Sequence, residues 1–141
     1  MNTTERPVVL FVDDEAGNLA LRLPRALRDD RLTVIVPDDH PLASRDTVDF
    51  ATVLDYPAIG LGEDSALERN LGDHAADLGR AIAYRIRLRG YDGICRTVAH
   101  GAGIAVVPEP VAERHAQRLP IRRLDLAEAW ATRRLHLCAR D

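Results

Sequence analysis

Residues 89–108, RGYDGICRTVAHGAGIAVVP, read as a short helix, a tight glycine turn, a buried strand and a stop. Tyr91, Ile94, Cys95 and Val98 fall at i, i+3, i+4 and i+7, which puts one apolar stripe on the helix. Asp92 belongs to its first turn, where the dipole favours a carboxylate, and Arg96 stands one turn further on. Gly101 occupies the position where a left-handed residue ends a helix. The run 104–107 (IAVV), closed by Pro108, has the unbroken apolarity of a strand covered on both faces. Helix, glycine turn and buried strand make half of an α/β unit.

Outward from that unit, the pattern repeats. Before it, Tyr84, Ile86 and Leu88 alternate with Arg85, Arg87 and Arg89, which predicts a strand with one wet face. Earlier still, Ser65 and Glu68 form an S-x-x-E capping box opening a helix to about residue 79, with Leu67, Leu71, Ala75 and Leu78 as its buried stripe. Residues 58–61 (AIGL) and 32–36 (LTVIV) read as strands, and 50–54 as one or two helical turns. Beyond Pro108, Pro110 suits the first turn of a helix to about residue 117. Strands are expected at 121–126, 135–139 and, near the start, 8–12 (VVLFV). Strands alternating with helices predict an α/β fold with a parallel sheet and right-handed crossovers.

The 141 residues suffice for one domain. Apolar content of 46% with 29% charged residues indicates a folded chain rather than disorder. A net charge of −3 offers nucleic acid no general attraction, and no basic helix-turn-helix pattern is present. Every one of the 19 basic residues is arginine, which removes any mechanism that needs a lysine. Cys95 and Cys138 lie in apolar or alternating segments and read as buried thiols. With no leader-like start and no long apolar run, a cytoplasmic protein without a membrane partner is expected.

Catalytic chemistry finds little support. The two serines, Ser44 and Ser65, lack a nucleophile elbow, and the histidines and cysteines lack metal-ligand spacing. No catalytic residue, metal or cofactor is expected. FVDDE after the first strand resembles the opening of a response-regulator receiver domain, with Asp55 as phosphoacceptor, but the lysine of such domains is missing. Two glycine turns are open to either of two readings, plain helix capping or a small-anion site. Gly62 to Leu67 leads a strand into a capped helix start, where free N–H groups and the dipole favour a carboxylate or phosphate. Gly101 to Ile104 permits close approach to backbone. Asp64 weighs against a bare anion at the first.

Taken in order, RLTVIVPDDHPLA (31–43), AIGL, GEDSAL (62–67), RLRGYDGICRTVAHGAGIAVVPEPVAE (87–113) and LPIRRLDLAEAWATRRLHLCAR (119–140) resemble the effector-binding domain of LysR-type transcriptional regulators. The resemblance implies a type 2 periplasmic-binding-protein-like α/β fold with the second lobe intact and the first lobe partial. Residues 1–31 would give a partial first-lobe strand and crossover, 32–118 the second lobe, and 119–141 the return to the first. It also implies an effector site at Gly62, Asp64, Ser65, Ala66 and Leu67, with Tyr91, His100, Gly101, Gly103 and Ile104 across from them. The implied effector is a small molecule, expected to carry a carboxylate. The implied partner is a second copy or a related regulator, with no direct DNA contact, since the residues before the match are too few for a helix-turn-helix. Strand 8–12 is expected beside 135–139. A sensing module, a non-sensing dimerisation partner of a full-length relative, a degenerate receiver and a remnant without function all stay open.

Overall fold

The structure, a computed structural model, describes residues 29–134. The strands expected at 8–12 and 135–139, their pairing, and Cys138 lie outside these residues. The chain divides into two compact units, Leu32–Ala131 and Met1–Arg31 with Thr132–Asp141. Of the second, the structure describes one antiparallel pairing, Asp29 to Arg31 against Thr132 to Arg134. Residues 121–126, expected within the return segment, are built into the sheet of the larger unit.

That larger unit is a sheet with helices on both faces. Its strands are β1 (Asp29–Pro37), β2 (Thr47–Val48), β3 (Ala58–Leu61), β4 (Tyr84–Leu88), β5 (Ala105–Pro108) and β6 (Ile121–Leu126). The pairing order is β2-β6-β1-β5, and β3-β4 forms a two-stranded sheet of its own, linked by an isolated parallel bridge from Ala58 to Ile104, the residue before β5. β7 (Thr132–Arg134) is the partner of β1 in the smaller unit.

β1 corrects the expectation of an all-parallel sheet. It runs antiparallel to β5 and β6, whereas β2 with β6 and β3 with β4 are parallel. A crossover helix forces parallel pairing only on the strands it joins, and no such helix leads into β1 within this unit. Sequence pattern is blind to this, since a strand buried on both faces reads the same in either direction.

Side-chain alternation along β1 divides the interior in two. Leu32, Val34 and Val36 face a cluster with Leu42, Phe50, Leu67 and Leu71, whereas Ile35 faces Ile94, Cys95, Val98 and Val111. The first layer is made by α1 (Phe50–Val53) and α2 (Ala66–Asp77), the second by α3 (Tyr91–Ala99) and α4 (Glu109–Ala116). Thr33, the one polar side chain in the buried run of β1, donates from Oγ1 to the Val107 carbonyl at 3.1 Å. The helix stripe read from the sequence is present in α3, where Ile94, Cys95 and Val98 are buried. Gly101 ends that helix at φ +87°.

Candidate functional site

Parallel β3 and β4 deliver two helix starts to one edge of the unit. After Leu61 the chain turns through Gly62, whose carbonyl accepts the Ser65 N–H at 3.0 Å, and α2 begins. After Leu88 it passes through Gly90, an extended N-cap without a side chain, and α3 begins at Tyr91. Each start leaves first-turn N–H groups with no partner inside the helix, under the positive end of the dipole. Gly62, Asp64, Ser65, Ala66, Leu67 and Tyr91 all belong to this edge. Leu67 turns its side chain into the core, so only its backbone belongs to the loop surface. Asp64 is exposed, and its carbonyl accepts from Arg69 Nη1 at 2.8 Å.

The other four expected residues are elsewhere. His100 closes the C-terminus of α3, its Nδ1 on the Arg96 carbonyl at 2.8 Å. Ile104 is fully buried, donates its N–H to the Pro57 carbonyl at 3.0 Å and accepts the Ile59 N–H at 2.8 Å. Gly103 lies so close to the same carbonyl that a Cβ would come within 2.8 Å of it. His100, Gly101, Gly103 and Ile104 thus sit at the N-terminal ends of β3 and β5. The nine residues of α3 (about 13 Å of rise) separate them from Tyr91. The turn expected with Tyr91 opposite Gly62 to Leu67 lies instead at the far ends of these strands, where Gly101 ends α3 and Gly103 allows close backbone packing.

Sequence reading missed the side chain that ties the first edge together. Ser65 caps α2 as expected, its Oγ accepting the Glu68 N–H at 3.3 Å. Glu68 does not return the bond to Ser65 and complete the box. Its carboxylate, on a residue only 6% exposed, accepts the Leu61 N–H at 2.7 Å on one oxygen and the Tyr84 hydroxyl on the other. Burial pushes the Glu68 carboxyl above the usual range, against the lowering pull of Tyr84, the Leu61 amide and Arg87. Burial and the adjacent carboxylate push the Tyr84 phenol up as well.

Arg87 completes the cluster. Register along β3–β4 shifts between Ala58 and Ile59, so that Ala58 pairs with Tyr84 but Ile59 with Ile86, leaving Arg85 as an extra residue. Ala58 and Gly60 share a face, and their partners Tyr84 and Arg87 consequently share one too. The Arg87 guanidinium lies 3.8 Å from the Tyr84 ring centroid and donates to the Leu61 carbonyl at 3.1 Å. The alternation in exposure read from the sequence holds along β4, and the bulge brings Arg87 onto the face of Tyr84. Gly60, inside a strand, was the available sequence signal: a Cβ there would lie 2.7 Å from Glu68 Oε2.

Among the described residues, no group of three or more His, Cys, Asp or Glu side chains is placed to hold a metal ion. Burial pushes the Cys95 thiol up to about 11, which keeps it protonated. Asp55 is tied to Arg80 Nη2 at 2.9 Å. No helix of the described residues is long and apolar enough to cross a membrane.

The family model described as the LysR substrate binding domain matches residues 24–141. Solved structures of similar fold include the effector-binding domain of QuiR in complex with shikimate, at 22% identity and TM-score 0.67, covering 77% of this chain and 50% of that one. The regulatory domain of CcmR from Synechocystis PCC6803, in complex with 2-PG, matches at 23% identity and TM-score 0.68, over 82% of this chain and 57% of that one. The cofactor-binding domain of the Cbl transcriptional regulator gives 23% identity and TM-score 0.61, over 70% and 43%. The chain thus spans about half the length of these solved structures. No curated protein matches it.

Proposed function

The chain belongs to the LysR substrate-binding-domain family, with its type 2 periplasmic-binding-protein-like α/β fold, and from that premise we propose that it is the effector-sensing module of a transcriptional regulator. The observation that carries the reading is the pair of helix N-termini, Ser65-capped α2 and Gly90-led α3, presented at one edge by parallel β3 and β4. Open α/β folds bind ligands outside the carboxyl ends of their strands, where N–H groups and dipoles are left over. The proposed effector-facing residues are Gly62, Asp64, Ser65, Ala66, the backbone of Leu67, and Tyr91. Binding, not bond-making, is the chemistry such an edge supports. A small oxyacid, with a hydroxyl or carboxylate toward the N–H groups, fits it. Shikimate and 2-PG, the ligands of QuiR and CcmR, are the first compounds to try.

Thermal melts with these two acids and a wider panel of small carboxylates test the reading. A ligand that binds only the folded chain stabilises it by mass action, by about 2.7 kcal/mol at a hundredfold excess over Kd, and so raises the midpoint. An unchanged midpoint across the panel counts against sensing. A second reading, a module that pairs with a relative and senses nothing, is supported by β4, whose outer edge has no strand partner among the described residues. Sedimentation of the chain alone separates the two: a concentration-dependent dimer indifferent to every ligand favours pairing.

A further inference from the structure

A buried carboxylate is expensive, and here it sits within one turn of the proposed effector edge. Glu68 is 6% exposed, yet both of its oxygens are engaged, one by the Leu61 N–H at 2.7 Å and the other by the Tyr84 hydroxyl. Two parts of the chain shape its surroundings. Gly60 gives up its Cβ, which would collide with Oε2. The extra residue Arg85 turns Arg87 onto the Tyr84 face, and Arg87 closes the Leu61 carbonyl from above. Apolar side chains of similar volume would fill such a space at no loss of stability. What they cannot do is fix the last amide of β3 to the first turn of α2 by directed bonds.

We propose that Glu68 is the positioning residue of the β3–α2 loop: its carboxylate, seated between the Leu61 amide and the Tyr84 hydroxyl, holds residues 62–65 in the shape they present at the effector edge. The seat is built for a carboxylate, two convergent donors beside a guanidinium, and the chain fills it with its own. Ser65 and Glu68 then divide the work. Ser65 Oγ secures the α2 backbone, and Glu68 secures the strand that leads into it. That the loop faces an effector rests on the reading above, whereas Glu68's hold on the loop is measurable with no effector present.

Hydrogen–deuterium exchange on the 141-residue chain tests it. Glu68→Ala is expected to speed exchange over residues 61–67 about tenfold or more while β1 and β5 keep their native rates. Glu68→Gln is expected to restore slow exchange, because its carbonyl accepts from Leu61 and its amide donates to Tyr84 Oη. Formate, as the probe for the emptied seat, should slow exchange over 61–67 in Glu68→Ala and leave the native chain unchanged. Uniform acceleration across the whole sheet, native rates in Glu68→Ala, or no response to formate would each overturn the proposal. If Glu68→Ala does not fold, Tyr84→Phe decides: acceleration confined to 61–67 supports the assignment, and uniform or absent acceleration overturns it. Because no effector is used, failure of the sensing reading leaves this result interpretable.

Discussion

Gly60 shows how one missing side chain can be a structural requirement. An added methyl would crowd both the Tyr84 ring and Glu68 Oε2, and neither can retreat without losing the bond between them. Gly60→Ala is expected to cost about 1–3 kcal/mol, read as a lower midpoint in urea with unchanged slope. Ser65→Ala should cost about 1 kcal/mol through the lost cap. If Ser65 also meets an effector, affinity measured by calorimetry should fall by more than this. Glu68 carries a pH signature. Its carboxyl lies above the usual range in the folded chain, so the native state holds that proton more tightly than the unfolded one. Its contribution is full below the ordinary carboxylate pKa and is lost as pH rises through the raised value. Glu68→Gln is expected to remove this decline, leaving the variant at least as stable as the native chain at neutral pH; denaturation midpoints across a pH series check it. Local pattern pointed to Glu68 as half of a capping box, and the Ser65 half is present. The other half went to Leu61 and Tyr84, partners 7 and 16 residues away, and no motif over four residues can report that competition.

Among elements, those whose residues answer only to their neighbours were the most legible. α3 could be read from its stripe, because Ile94, Cys95 and Val98 meet the sheet through the helix's own period. The same holds for β6, expected and found at 121–126. β4 was legible as a strand but not as a bulged one. Its residues still alternate in exposure, and the extra residue shows only when β3 is laid beside it. The Gly62 turn was legible as a helix start. The Gly101 turn was legible as a helix end, but not as lying at the opposite ends of the strands from Gly62, because a glycine that ends a helix and a glycine that admits a ligand look alike in sequence. α1 owes its start to a residue far along the chain. The Phe50 N–H meets both Glu128 carboxylate oxygens at 3.0 Å, so Asp49 need not cap it and does not. Glu128→Ala is expected to cost about 1–2 kcal/mol, measured by urea denaturation.

At the scale of the whole unit, β1 is the shared wall of two apolar clusters. Ile35 faces one, and Trp130, stacked on His74 at 3.7 Å and edge-on to Phe50, packs against the other. Ile35→Ala removes a fully buried side chain and should cost about 2–5 kcal/mol. Because both layers lean on one strand, Trp130 fluorescence should lose its midpoint in step with far-UV circular dichroism, although the mutation lies on the opposite face. Separate midpoints would show that the layers unfold apart. The α/β class was within reach of sequence reading; the assignment of helices to layers and the direction of β1 were not, since nothing in LTVIV records which way its neighbours run.

The bulge at Arg85 has a consequence for anyone aligning this chain with its relatives. A relative whose ladder lacks the extra residue needs a gap opposite position 85, and without one every later equivalence slips by one. The side chain that does the work of Arg87 would then be sought at the wrong column, on the wrong side of the sheet. At about 22% identity the letters alone give little warning of such a slip, so superposed backbones rather than matched residues should decide which arginine stands over which tyrosine.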